Sequence, residues 1–218
     1  MNPDRSFGQM HYEGLEYPEG IEVIDWQTYQ FEDRRPDVIY IHNPYDDWNY
    51  VTSIHPDFFA TRLKKNVGRL VYIPYFTAAK NRVDSHLCVL PVTILADKVI
   101  VQSEPVRQVY INELKKAEKE NRIIKVKNID ERIIALGSPK YDKARSFSSV
   151  KNESIPPEWV NLIYKANGHR KNVVFYNASL AVLLRENDKV ILKMERVFRI
   201  FQNIREDVVL LWRPHPLF

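Results

Sequence analysis

Arg213 and His215 stand two residues apart in the stretch WRPHP, directly after the apolar run 208–212. A guanidinium group always carries its charge and binds phosphate through two donors, and the prolines around His215 restrict its backbone. An earlier strand-like run leads into YNASL, where Asn177 and Ser179 precede a helix whose free N–H groups suit an anion. These two strand ends predict a phosphate-binding site, and the alternative is a surface turn that contains these residues by chance.

A second polar cluster, HNPYDDWN, follows an apolar run earlier in the chain. Its histidine can act as a general base, with one of the two aspartates orienting the ring. The alternative is an Asn-Pro turn that is capped by the aspartates and held by aromatic packing. Because His and Asp at these spacings match no standard metal site, no metal is predicted. The hydrogen-bonding residues of the cluster are His42, Asn43, Tyr45, Asp46 and Asp47.

A third stretch, LGSPKYDK, follows another apolar run. Gly137 permits a tight turn there, and Ser138 can cap a helix or contact a phosphate. No glycine-rich phosphate loop surrounds it, and the chain contains no GxGxxG, GxSxG or CxxC motif. The sequence therefore predicts no cofactor and gives no sign of the familiar NTPase, dehydrogenase, hydrolase or redox classes.

Short apolar runs alternate with helix-like segments along the first 140 residues. Such alternation is typical of βαβ units, so the sequence predicts an α/β fold with a Rossmann-like, doubly wound parallel sheet and helices on both faces. The five predicted strands lie at 21–25, 37–42, 69–76, 97–103 and 132–138.

The character of the sequence changes after residue 140. Residues 141–156 are rich in Ser and Lys and end at a Pro-Pro pair, residues 156 and 157, which predicts a linker. Residues 157–218 begin a second Rossmann-like unit with two predicted strands, at 171–179 and 207–216. Because two strands and two helices make a poor core, we expect this unit to be truncated or to lean on another surface.

The composition limits the cell compartment and the binding partners that we expect for this protein. The 218 residues carry a net charge of +4, but Lys and Arg are spread along the chain, so nucleic acid is not an expected partner. The single cysteine, Cys88, can form no internal disulfide, which fits a reducing compartment. There is no signal-peptide pattern and no apolar run long enough to span a membrane. We expect a cytoplasmic protein, with peripheral contact to the inner face of the cell membrane through anionic lipid.

Several stretches together resemble the CDP-glycerol glycerophosphotransferase family, the bacterial teichoic-acid glycerophosphotransferases and polymerases. They are the region from DVIYIHNPYDD to RLVYIPYF, then ADKVIVQSEPVRQVYINE, LGSPKYDK and LLWRPHP, and they cover most of residues 20–218. The resemblance implies a GT-B fold of two Rossmann-like halves. It implies that the C-terminal half binds CDP-glycerol and that the N-terminal half binds a glycerophosphate-polymer or lipid-linked acceptor. Arg213 and His215 match the family's Arg-x-His-Pro stretch and are expected to face the donor phosphates.

Two departures from the family keep other hypotheses open. Many members carry a Trp-His-Gly loop with the catalytic base, where this chain has IPYFTAAKN, so His42 is the substitute base that we expect. The family's catalytic module also runs past its Arg-x-His-Pro motif, which predicts that this chain is an incomplete and inactive piece of an enzyme. The alternatives are a non-catalytic binding or scaffold module in cell-envelope polymer assembly, and a GT-B glycosyltransferase that uses a sugar nucleotide.

Overall fold

The chain divides into two compact units, Met1–Ser149 and Val150–Phe218. The computed structural model describes residues 20–48, 54–78, 82–149, 157–177, 185 and 188–213, and of 147–149 it describes the backbone only. Both units contain a parallel sheet with helices, so the α/β class predicted from the sequence is confirmed.

The sheet of the first unit has four parallel strands in the order β1-β2-β3-β4. The strands are β1 (Val38–Ile41), β2 (Arg69–Tyr72), β3 (Lys98–Val101) and β4 (Ile133–Ala135). The strand predicted at 21–25 is wrong, because Ile21 and Val23 are exposed and residues 21–25 pair with none of the described strands. A doubly wound sheet reverses its strand order at one point. The four described strands run in sequence order, so the doubly wound arrangement stays a prediction.

Seven helices precede, connect or follow these strands in the described part of the first unit. Pro91 opens the fourth, because proline fits the first turn of a helix and not its interior, and this divides the apolar segment around Cys88 into two short helices. The helices are α1 (Phe31–Arg34), α2 (Ala60–Asn66), α3 (Ser85–Cys88), α4 (Pro91–Leu95), α5 (Glu104–Lys119), α6 (Ile129–Arg132) and α7 (Pro139–Ser149), with a 3-10 turn, Pro56–Phe58, before α2.

Helix α7 lies where the sequence predicted the start of a linker at 141–156. The N–H groups of Tyr141 and Asp142 both donate to the Ser138 carbonyl, at 2.9 and 3.2 Å, and this starts the helix. Its side chains up to residue 146 are exposed, so the Ser- and Lys-rich composition belongs to a solvated helix. Residues 150–156 lie outside the described residues.

The main core lies against one face of the first sheet. Alternate strand residues point to opposite faces, and Leu70, Tyr72 and Val99 are fully buried in the core cluster. On the other face of β1, Val38 and Tyr40 remain 38% and 66% exposed. The buried face therefore holds the first unit together.

Helix α5 supplies the longest stripe of this core. Its first turn contains Pro105, as the sequence predicts, and five residues at helical spacing are buried. The helix packs on β3 and β4 and begins directly after the carboxyl end of β3. It fixes where the loop after β3 lies. The buried residues are Val106, Tyr110, Ile111, Leu114 and Ala117.

The second unit has a two-stranded parallel sheet, β5 (Asn172–Asn177) and β6 (Val208–Arg213), with helices α8 (Pro157–Ile163) and α9 (Asp188–Asn203). The Phe198 ring of α9 lies 6.2 Å from Tyr176 and 5.1 Å from Trp212, so the helix covers one face of the sheet. Val190 and Met194 of α9 are buried, and Ile191 between them is 48% exposed.

No helix within the described ranges is both long and apolar enough to cross a lipid bilayer.

Candidate functional site

The four strands of the first sheet are parallel, so their carboxyl ends lie along the same edge. Ligands of open α/β sheets bind at this edge. The segments that leave it are 42–48 after β1, 73–78 after β2, 102–103 after β3 and 136–138 after β4. The polar clusters that the sequence singled out in this unit are in the first and last of these segments.

The segment after β1 is a tight turn. The Asn43 side-chain oxygen accepts the Tyr45 N–H at 3.0 Å, and the Tyr45 carbonyl accepts the Trp48 N–H at 2.7 Å. This is the Asx-type turn that an Asn-Pro pair favours. It leaves His42 and Asp47 exposed at the edge of the sheet, with Tyr45 partly buried.

Asp46 faces inward from the same turn. Its side chain is only 3% exposed, and both carboxylate oxygens accept the Ala60 N–H at 3.1 Å. Ala60 is the first residue of α2, so Asp46 caps a helix N-terminus that would otherwise lack an acceptor. Burial raises the pKa of this carboxyl from 3.8 to about 6; the Ala60 N–H lowers it, and the charge of Asp47 raises it. The sequence hypothesis allowed either Asp46 or Asp47 to orient the His42 ring, and Asp46 instead accepts the first backbone N–H of α2.

Tyr75, three residues after β2, contacts both the segment after β1 and the first turn of α7. Its hydroxyl lies 3.3 Å from the Tyr45 hydroxyl, and its ring centroid lies 6.4 Å from that of His42. The Lys140 ammonium lies over the same ring, 5.6 Å from its centroid. His42, Tyr45, Tyr75 and Lys140 therefore form one group, called the edge cluster below.

Sequence reasoning did not identify Tyr75 and Lys140 as functional residues. The sequence suggested that Tyr75 packs at the end of a strand. In the stretch that contains Lys140, it suggested a ligand contact only for Ser138. The available signal was their position, because Tyr75 lies at the end of one predicted strand and Lys140 follows another by two residues.

A narrow crevice lies beside the edge cluster. It is lined mostly by apolar residues, with Gln102, Tyr110 and Ser138 among its polar ones. Gln102 grips the backbone of Ala78: its amide oxygen accepts the Ala78 N–H at 2.7 Å, and its amide nitrogen donates to the Ala78 carbonyl at 2.9 Å. This double hydrogen bond ties the segment after β2 to the end of β3 and fixes one wall of the crevice.

Within the residues that the structure describes, no group of three His, Cys, Asp or Glu side chains is placed to hold a metal ion.

The second unit brings two of its predicted residues side by side. Asn177 ends β5 and Arg213 ends β6, and the two are direct partners in the parallel register. Both side chains are exposed, so their amide and guanidinium donors are open to solvent at one edge. Ser179 and His215, two residues beyond each, lie outside the described residues.

Comparisons with known proteins gave no relative on which to base an assignment. No protein-family model matches the chain, and neither a curated protein nor a solved structure gives a significant match. A function for this chain therefore has to be argued from its own residues and geometry.

Proposed function

We propose that this chain is a transferase of the CDP-glycerol glycerophosphotransferase type, which moves glycerol phosphate from CDP-glycerol to a teichoic-acid-like acceptor. The motif order of the sequence motivates the proposal. The observation that carries it is the register of Asn177 with Arg213 at the carboxyl end of a parallel pair of strands. That edge is where α/β folds bind nucleotides and phosphates.

The donor side of the proposal rests on the chemistry of these two residues. Arg213 offers a planar fork of N–H donors that matches two oxygens of a phosphate. The Asn177 amide offers a neutral donor beside it. In the proposal both contact the diphosphate of CDP-glycerol, with Ser179 and His215 following on the same two strand ends.

The reaction is a displacement at the β-phosphorus of CDP-glycerol. The acceptor hydroxyl oxygen forms the new P–O bond, the bond from that phosphorus to the bridging oxygen breaks, and CMP leaves. A base takes the hydroxyl proton, and cationic donors stabilise the charge on the phosphoryl oxygens. We propose His42 for the base, because it is exposed at the ligand-binding edge of the first sheet.

The GT-B fold and the location at the membrane are parts of the same proposal. Both units would be Rossmann-like halves of a GT-B protein, with the acceptor bound by the first unit and the donor by the second. A lipid-linked acceptor would bring the protein to the inner face of the membrane.

Donor selectivity and product release test the proposal together. Calorimetric titration of the 218-residue chain should show binding of CDP-glycerol in preference to UDP-glucose. CMP release should require a glycerophosphate acceptor. Binding of CDP-glycerol without any CMP release would favour the binding-module alternative, and UDP release from UDP-glucose would favour the glycosyltransferase alternative. Failure to bind CDP-glycerol would refute the proposal.

A further inference from the structure

The geometry points to a phosphate-ester site in the first unit, formed by Ser138 and Lys140 at the start of α7. The proposed occupant is a phosphate group of the acceptor, so this inference rests on the proposed function for the identity of the ester. It assigns phosphate-binding residues in the first unit, which is the proposed acceptor-binding unit. The sequence alone named candidates there without assigning them to a phosphate of the acceptor.

The first support is the path of the backbone. Gly137 follows β4 with a φ of +104°, a conformation that side chains rarely allow, and its N–H donates to the Val101 carbonyl at 3.3 Å. This sharp turn ends β4 and starts α7, which is eleven residues long. In its first turn Pro139 has no N–H, and the Tyr141 and Asp142 N–H groups donate to the Ser138 carbonyl. The Lys140 N–H is therefore left without an intrahelical acceptor at the positive end of the helix dipole.

The second support is Ser138 itself. It is 8% exposed and lines the crevice at the edge of the sheet. A serine before a helix usually caps it with its hydroxyl, but here the backbone carbonyl of Ser138 accepts the N–H groups of Tyr141 and Asp142. Within the described ranges the hydroxyl has no hydrogen-bond partner. A ligand oxygen in the crevice that Ser138 lines would supply one.

The third support is the charge beside this hydroxyl. Lys140 is exposed, and its ammonium is held over the Tyr75 ring, next to the Tyr45–Tyr75 hydroxyl pair. The described residues form no ion pair with it. Glu104, which follows β3, is already paired with Arg107 at 2.8 Å. A positive charge and hydroxyl donors therefore face the edge at which Ser138 opens into the crevice.

Binding of glycerol 3-phosphate without nucleotide tests the site independently of turnover. The probe is added to the full chain and followed by phosphorus NMR and calorimetry. Ser138→Ala is expected to weaken binding about tenfold, because hydrogen bonds to charged groups are the stronger class. Lys140→Gln is expected to weaken it roughly three- to tenfold, and less at high salt. The matched control is Lys119→Gln, which removes the same charge from the far end of α5 and should bind like the wild type.

Three results would overturn the site. The first is no binding at millimolar glycerol 3-phosphate. The second is unchanged binding in both Ser138→Ala and Lys140→Gln, and the third is a loss of affinity in Lys119→Gln as large as in those variants. A parallel titration with phosphatidylglycerol vesicles separates a lipid headgroup from a free or polymer-borne ester, and binding to vesicles alone would contradict the proposal. Loss of the proposed transferase activity with glycerophosphate binding intact would leave this site standing.

Discussion

Replacing Asp46 by Asn should stabilise the protein at neutral and alkaline pH. Asp46 is buried, and burial raises the pKa of its carboxyl from 3.8 to about 6. The unfolded chain therefore ionises this group first, and the wild type loses stability as pH rises from about 4 to about 6. Two pKa units at about 1.4 kcal/mol each give a loss of about 3 kcal/mol above that range.

Asn removes this charge and keeps the contact. Its side-chain oxygen can accept the Ala60 N–H, and Asn tolerates the left-handed backbone of this position, where φ is +47°. The difference in free energy of unfolding between Asp46→Asn and wild type should be near zero at about pH 4 and approach about 3 kcal/mol at about pH 8. Because other carboxyls are common to both proteins, the difference isolates Asp46.

Urea unfolding of both proteins across this pH range is the assay. Asp47→Asn is the matched control, since that neighbouring carboxylate is exposed and its loss should change stability by less than about 0.5 kcal/mol. A stability difference that does not vary with pH would refute the reasoning, and so would an Asn variant that is less stable at about pH 8.

Two further outcomes follow from the packing of the first unit. Gly68→Ala should lower the free energy of unfolding by roughly 1–3 kcal/mol, because its Cβ would lie 2.6 Å from the Asp37 carbonyl oxygen, and unchanged stability in urea would contradict that close approach. The Cys88 thiol is fully buried and burial raises its pKa to about 12, so iodoacetamide should modify it only after unfolding, and rapid labelling of the native protein would contradict its burial.

The sequence predicted the strands and helices of this fold better than the contacts between them. Apolar, β-branched runs identified all four strands of the first sheet, and Pro105 located the start of α5. The false strand at 21–25 has the same local pattern but no neighbour to pair with, and pairing is a tertiary property.

The same difference holds for the candidate sites: proximity that follows from strand pairing could be predicted, and contacts between distant segments could not. Asn177 and Arg213 lie near the ends of two consecutive predicted strands, so their proximity follows from the parallel pairing that the alternation of elements predicted. The role of Asp46 depends on Ala60, fourteen residues away, and no spacing rule reveals that contact. The meeting of Tyr45, Tyr75 and Lys140 depends on three segments converging at one edge, which only the folded sheet brings together.

The affinity of CDP-glycerol for a matched pair of arginine variants tests the central claim most directly. Arg213→Ala removes the cation at the carboxyl end of β6, and Arg205→Ala removes one from the exposed segment before the same strand. We expect calorimetry to show that Arg213→Ala binds CDP-glycerol at least about tenfold more weakly than the wild type. Arg205→Ala should bind it with unchanged affinity. Equal affinity of both variants and the wild type for CDP-glycerol would contradict it.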